Sequence, residues 1–167
     1  GTAQNTNVFD LRDGDRIVLV GDTLIEREPT YGYIEYLLTT QFPDRNVTCR
    51  NLGWSGDTPL GQSRVGFDHS KPPEFWFQQL TNSIAQLKPT VVFLGYGMAS
   101  SFAGEAGLPK FIADLGNLMD AIQQNAGELG KQIEFVQKHL NAWHLDLVAH
   151  SMGGLISRYY IYNTMKI

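Results

Sequence analysis

Four short apolar runs, separated by longer segments with helical spacing, constrain the fold of this chain most strongly. The predicted strands are Arg16 to Val20, Val47 to Leu52, Thr90 to Leu94 and Leu145 to Val148. The third run shows almost no alternation, which is typical of a strand covered on both faces. Strands linked through helices by long crossovers pair in parallel. The pattern predicts an α/β fold, a three-layer α/β/α (flavodoxin-like) domain with a parallel sheet of about four strands.

Between the predicted strands, apolar residues recur with the spacing of a buried helix face. The predicted helices are Tyr31 to Gln41, Phe75 to Leu87, Pro109 to Gln124 and Leu129 to Leu140. A chain of 167 residues with 43% apolar content is long enough to bury one core, so we expect a single domain over 1–167. Ligands of open parallel sheets bind at the carboxyl ends of the strands, so a site is expected in the loops there.

The composition excludes several classes of function. The net charge is −4, only 18% of the residues are charged, and no basic run is present to attract nucleic acid. No apolar run approaches the roughly 18 residues of a membrane span. The four histidines are scattered, Cys49 has no cysteine partner, and no Gly-rich phosphate loop follows a strand. We therefore predict no metal, no cofactor, no nucleic-acid partner and no membrane span.

The last predicted strand runs into a turn of the type small-x-Ser-x-Gly, with Ser151 at its centre. This arrangement is typical of a nucleophile elbow, which exposes the serine oxygen and offers the N–H of the next residue, here Met152, to an oxyanion. The segment Leu145 to Tyr160 resembles the α/β-hydrolase lipases, specifically those with Ala in place of the first Gly of G-x-S-x-G. The resemblance implies that Ser151 is the nucleophile and that the Met152 N–H is an oxyanion donor.

The elbow lacks its expected partners. In that family the acid and the histidine follow the serine, but the 16 residues after Ser151 (167 − 151) include no His, Asp or Glu. Two histidines remain candidates for the catalytic base. His150 is adjacent to the serine, but its side chain should leave on another side of the turn. The alternative to a role as base is that His150 packs against or lines the site. His69 follows the second strand and can reach the same rim of the sheet, with a solvated loop position as the alternative.

Three further blocks, each after a strand, resemble the SGNH (GDSL) hydrolases over about 15–125. They are Gly21-Asp22-Thr23-Leu24, the run from Asn51 to Thr58, and Gly97-Met98-Ala99-Ser100. The resemblance implies strand order 2-1-3-4, carboxylic esters as substrates and a secreted bacterial protein. It also places Thr23 at the nucleophile position of that family, and the N–H groups of Thr23 and Gly56 in its oxyanion hole.

The chain departs from the SGNH pattern at decisive positions. Thr23 replaces the serine and adds a methyl that stiffens the side chain. Ala99 replaces an Asn that donates to the oxyanion, and the loss of one such donor costs about 10²–10³ in rate. In the SGNH family an Asp-x-x-His motif late in the chain supplies the catalytic acid and base. That motif is absent here, because the lipase-like segment begins where it would come. The sequence is therefore interpreted as a hybrid with a fusion point near 125–132, of natural, engineered or computationally designed origin.

Together these features predict a serine esterase or lipase-like hydrolase that acts on small carboxylic esters and is weak or inactive. Ser151 is its predicted nucleophile, and Thr23 with Gly56 forms a vestigial second site. The alternative is a non-enzymatic designed or recombined scaffold, or a small-ligand-binding domain that uses a rim formed by Trp54 and Tyr96. If Leu145 to Val148 is an uncovered edge strand, its unpaired backbone groups predict self-association.

Overall fold

The computed structural model describes the backbone of residues 10–65, 68–137 and 144–146, and the side chains of 10–65 and 68–125. Four parallel strands form one sheet in the order β2-β1-β3-β4. They are β1 (Arg16–Gly21), β2 (Thr48–Asn51), β3 (Val91–Gly95) and β4 (His144–Asp146). The α/β fold with a parallel sheet and the predicted strand order are thereby confirmed.

Five α-helices lie in the described part of the chain. They are α1 (Thr23–Tyr31), α2 (Tyr33–Gln41), α3 (Pro73–Gln86), α4 (Met98–Ser101) and α5 (Leu108–Gln137), with short 3₁₀ turns at Gln62–Val65 and Glu105–Gly107. The sequence pattern missed α1, which contains Pro29. It also divided α5 into two helices, but the helix runs through the predicted fusion segment near 125–132 without a break. An isolated Gly such as Gly127 weakens a helix without ending it.

The side chains of the two central strands alternate between two apolar cores. On one face, Ile17 and Leu19 of β1 pack with residues of α1 and α2. On the other face, Val18 and Val20 pack with residues of α3 and α5. The sheet is therefore covered on both sides, as the three-layer prediction requires, and its carboxyl edge is left to the loops.

The final strand begins one residue earlier than predicted, at His144, and its predicted end at Val148 lies outside the described residues. It lies at one end of the described sheet, next to β3. The predicted elbow, with Ser151, Met152 and His150, lies outside the described residues. No helix within the described ranges is both long and apolar enough to cross a membrane.

Candidate functional site

Three loops meet at the carboxyl edge of the sheet. The backbone N–H of Asp22, directly after β1, donates to the Gly95 oxygen at the end of β3 at 3.0 Å. The N–H of Trp54, in the loop after β2, donates to the Gly21 oxygen at 3.0 Å. All three SGNH-like blocks are thus brought to one rim, as expected for parallel strands.

Asp22 organises two of these loops. Its carboxylate caps α1 by accepting from the N–H of Leu24 at 3.2 Å. The other carboxylate oxygen accepts from the N–H of Met98, at the start of α4, at 2.9 Å. Because the side chain is buried and both oxygens are engaged, Asp22 holds the first and third blocks together.

Thr23 is the first residue of α1, and its hydroxyl lies between two donors of the second block. The N–H of Gly56 donates to Thr23 Oγ1 at 2.9 Å. The hydroxyl of Ser55 donates to the same oxygen at 3.4 Å. The Thr23 N–H belongs to the first helical turn, where backbone donors lack an intrahelical acceptor, and it has no partner within the described ranges. The two backbone N–H groups that the SGNH resemblance assigns to an oxyanion hole therefore lie around one hydroxyl.

A tight turn presents the Gly56 N–H. The N–H of Asp57 donates to the oxygen of Trp54 at 3.1 Å and closes the turn. Gly56 has φ +68°, in the left-handed region that favours glycine, and a Cβ there would find only Ser63 Oγ, at 3.8 Å. Conformation, and not lack of space, therefore requires glycine at this position.

An ion pair lies beside the turn. Arg64 Nε donates to Asp57 Oδ2 at 2.7 Å, and the Asp57 side chain is fully buried. Burial raises the pKa of the Asp57 carboxyl above its ordinary value, and the charge of Arg64 opposes that rise. A second Arg64 nitrogen donates to the oxygen of Leu52 at 2.6 Å, so this side chain joins both ends of the loop after β2.

A cavity of about 410 Å³ lies beside Thr23. Its mouth carries the apolar side chains of Leu24, Tyr31 and Met98, which are 46%, 77% and 50% exposed. Tyr96, one of the two aromatic residues of the predicted rim, lines the cavity and is buried. Burial raises the pKa of its hydroxyl well above the ordinary value, and Asp57 adds to the rise, so the phenol stays neutral.

The remaining predicted site residues have separate places. His69 is exposed and does not line this cavity. Trp54 is about half exposed, and its indole N–H donates to the oxygen of Ser63 at 3.0 Å. No group of acidic, Cys or His side chains suited to a metal occurs among the described residues. No imidazole contacts the Thr23 hydroxyl among the described contacts.

Sequence reasoning did not single out Ser63 and Arg64. Ser63 Oγ donates to the Gly56 oxygen at 2.6 Å, and the Ser63 N–H donates to Asp57 Oδ1 at 3.3 Å. Both residues lie in the 3₁₀ turn Gln62–Val65. The only signal in the sequence was a lone arginine seven residues after an aspartate, a spacing that matches no catalytic motif.

No protein-family model matches the chain, and no curated protein matches it. Among solved structures, a gut microbial diltiazem-metabolizing enzyme is 17% identical over 95% of this chain and 35% of its own, with a TM-score of 0.48. A mutant acetyl-xylooligosaccharide esterase from Geobacillus is 15% identical over 68% of this chain and 57% of its own, with a TM-score of 0.49. A catalytic mutant of an acetylxylan esterase from Geobacillus stearothermophilus is 14% identical over 91% of this chain and 82% of its own, also with a TM-score of 0.49.

These structural neighbours include esterases, but every TM-score is below 0.5 and every identity is below 25%. The chain spans only 35% and 57% of the lengths of the first two. Similarity of this degree carries no activity over to this chain.

Proposed function

We propose that the loops around Thr23 and Gly56 form an esterase-like site of the SGNH type, which binds small carboxylic esters and hydrolyses them weakly. One contact supports this most strongly, the 2.9 Å hydrogen bond from the Gly56 N–H to the Thr23 hydroxyl oxygen. It joins a potential nucleophile to a backbone donor of the kind that stabilises oxyanions. The N–H of Thr23, which has no acceptor among the described residues, supplies a second donor.

In this proposal, Thr23 Oγ1 attacks the ester carbonyl carbon. A carbon–oxygen bond forms, and the electrons of the carbonyl double bond move onto its oxygen, where the N–H groups of Thr23 and Gly56 donate hydrogen bonds that stabilise the negative charge. The hydroxyl proton passes to water, and collapse of the intermediate expels the alcohol after protonation. Water then hydrolyses the acyl-threonine by the same steps, releasing the carboxylic acid and restoring the hydroxyl.

Three features make this reaction slow. The hydroxyl has no imidazole in contact among the described residues, and general-base catalysis is worth about 10²–10⁴ in rate. Ala99 stands where the SGNH pattern places an amide donor, at a cost of about 10²–10³. The Thr23 methyl restricts rotation of the nucleophile. Oxyanion donors and binding alone can retain an acceleration of about 10³ over water.

The cavity indicates the substrate. Its volume of about 410 Å³ is within the usual range for small-molecule sites. Leu24, Tyr31 and Met98 present apolar surface at its mouth. We therefore expect activated esters with a small aryl or short acyl group to be better substrates than long-chain or strongly charged ones.

A fluorophosphonate probe followed by peptide mass spectrometry tests the site. We expect slow labelling at Thr23 that is lost in Thr23→Val, which keeps the side-chain shape and removes the oxygen. Ser151→Ala is the matched control, and it should leave this label intact. Label confined to Ser151 would move the proposal to the predicted elbow, with Met152 as oxyanion donor and His150 or His69 as candidate bases. Rapid, stoichiometric labelling would contradict the weak-site proposal.

The second candidate is a small-ligand-binding site without turnover. The aromatic residues Tyr31 and Tyr96 line the cavity, and the absence of a base among the described contacts of Thr23 favours it. Titration with a ketone isostere of the preferred aryl ester discriminates the two. Saturable binding that is weakened by Leu24→Asp, without ester turnover by the unmodified chain, would support binding alone.

A further inference from the structure

We infer that Ser63 and Arg64 are positioning residues, which hold the Gly56 N–H against the Thr23 hydroxyl through the carbonyl of Gly56 and the carboxylate of Asp57. The kinetic part of this inference rests on the proposed function, whereas the structural part concerns the hydrogen bond itself. Neither residue contacts Thr23 in the described hydrogen bonds, so their effect passes through the turn.

Ser63 fixes the carbonyl side of the turn. Its hydroxyl donates to the Gly56 oxygen at 2.6 Å. This carbonyl belongs to the peptide between Gly56 and Asp57, and rotation of that peptide would break the bond. Gly56 itself lacks a side chain that would restrict its backbone. The bond therefore restricts the one residue of the turn with the greatest conformational freedom, whose N–H contacts Thr23.

Arg64 fixes the two ends of the loop. Its guanidinium donates to Asp57 Oδ2 at 2.7 Å and to the Leu52 oxygen at 2.6 Å. It also lies 5.8 Å from the centre of the Trp54 ring, within cation–π range. A planar group with several donors can make these contacts together, whereas the single ammonium of lysine cannot reproduce their geometry.

The two residues act on one carboxylate as well. The Ser63 N–H donates to Asp57 Oδ1 at 3.3 Å, so both Asp57 oxygens are bound from the 3₁₀ turn. Asp57 immediately follows Gly56, and its side chain is fully buried. A buried carboxylate held from two sides is a fixed anchor, so the adjacent turn has little freedom to move away from Thr23.

The test uses Ser63→Ala and Arg64→Lys in the full chain, with the amide resonance of Gly56 as the readout. Thr23→Val, which removes the acceptor, defines the shift expected when the hydrogen bond is lost. We expect both positioning variants to move the Gly56 amide proton in that direction and to speed its exchange with solvent. Ser83→Ala is the matched control, because Ser83 Oγ also donates to a backbone carbonyl, that of Gln79 at 2.8 Å. It should leave the Gly56 amide unchanged.

The kinetic readout is the rate of fluorophosphonate labelling at Thr23. Misplacement of one oxyanion donor should lower this rate by about 10²-fold, with less change in the probe concentration at half-saturation. If no variant or parent labels at Thr23, the proposed function fails while the amide shifts still test the positioning. A Gly56 amide that moves in Thr23→Val but not in Ser63→Ala, which removes only one hydroxyl, would overturn the inference. So would an amide that Thr23→Val leaves unmoved.

Discussion

At the scale of single residues, the carboxylate of Asp57 is fully buried in its ion pair with Arg64, and burial and charge push its pKa in opposite directions. Desolvation is the larger effect, so the pKa of Asp57 lies above its ordinary value of 3.8. An acid with a raised pKa in the folded state contributes most stability at low pH. That contribution falls as the pH rises from the ordinary value through the raised one.

Removing Arg64 should therefore destabilise the protein in a pH-dependent way. In Arg64→Met the opposing charge is gone, so the pKa of Asp57 rises further. We expect the free energy of unfolding to fall by about 3–5 kcal/mol at pH 7.5, because a buried carboxylate loses its partner. The deficit should shrink as the pH falls towards 3.8, where the carboxyl takes up a proton.

Urea denaturation at several pH values measures this effect. Lys110→Met is the charge-matched control, because it breaks an ion pair with Asp114 on α5 in which the lysine side chain is 66% exposed. Surface pairs of this kind are worth about 0–1 kcal/mol. A deficit in Arg64→Met that stays constant across the pH range would exclude Asp57 as its source.

Cys49, on β2, should be almost inert in the folded protein. Burial, followed by the charge of Glu35 and a hydrogen bond with it, raises the pKa of its thiol to about 12. The thiolate, which is the reactive form, is then scarce at pH 8. We expect iodoacetamide to alkylate Cys49 at least about tenfold more slowly in buffer than in concentrated urea, by intact-mass measurement. Equal rates in the two conditions would contradict the burial.

At the scale of elements, the loop after β2 and helix α1 approach so closely that only glycine fits. A Cβ on Gly53 would lie 2.6 Å from the backbone carbon of Ile25 and would also clash with the N of Glu26. Since backbone atoms cannot move aside as a side chain does, the helix and the loop would have to separate. This approach sets where Thr23, at the start of α1, faces the second block.

Two glycine-to-alanine substitutions should therefore have opposite effects. Gly53→Ala should lower the free energy of unfolding by about 1–3 kcal/mol, the usual cost of overpacking. Gly116→Ala lies on α5, where a Cβ would meet nothing within 4 Å, and should raise stability by about 0.5–1 kcal/mol. Thermal and urea unfolding of the two variants side by side measure the difference. Equal effects would show that Gly53 is not crowded.

At the scale of the whole molecule, the described sheet has β2 at one end and β4 at the other. An uncovered edge offers unpaired N–H and C=O groups to a second chain. The prediction of self-association made from Leu145 to Val148 therefore stands as a prediction about the β4 end. Light scattering across a wide concentration range should show mass rising with concentration. A constant monomer mass would contradict it.

Local pattern in the sequence was sufficient for the strands and most helices. The runs around Val18 and Val92 are apolar because both faces of the central strands are covered, and this leaves a signal within a few residues. Pattern failed at two helices. It did not predict α1, which contains Pro29, and it divided α5 into two helices although α5 continues without a break. Family resemblance, and not periodicity, placed Thr23 and Gly56 at one site.

Only the tertiary structure decided how that site is held. Thr23 and Gly56 are 33 residues apart in the sequence. The distance between them depends on how closely the sheet brings their two loops together. The bond from Arg64 to the Leu52 oxygen depends on the same placement. Such contacts leave no periodic trace, because they are set by strand register and by the close approach of a loop to α1. The sequence by itself determined the layers and the rim, and the packing of three loops decided which groups meet there.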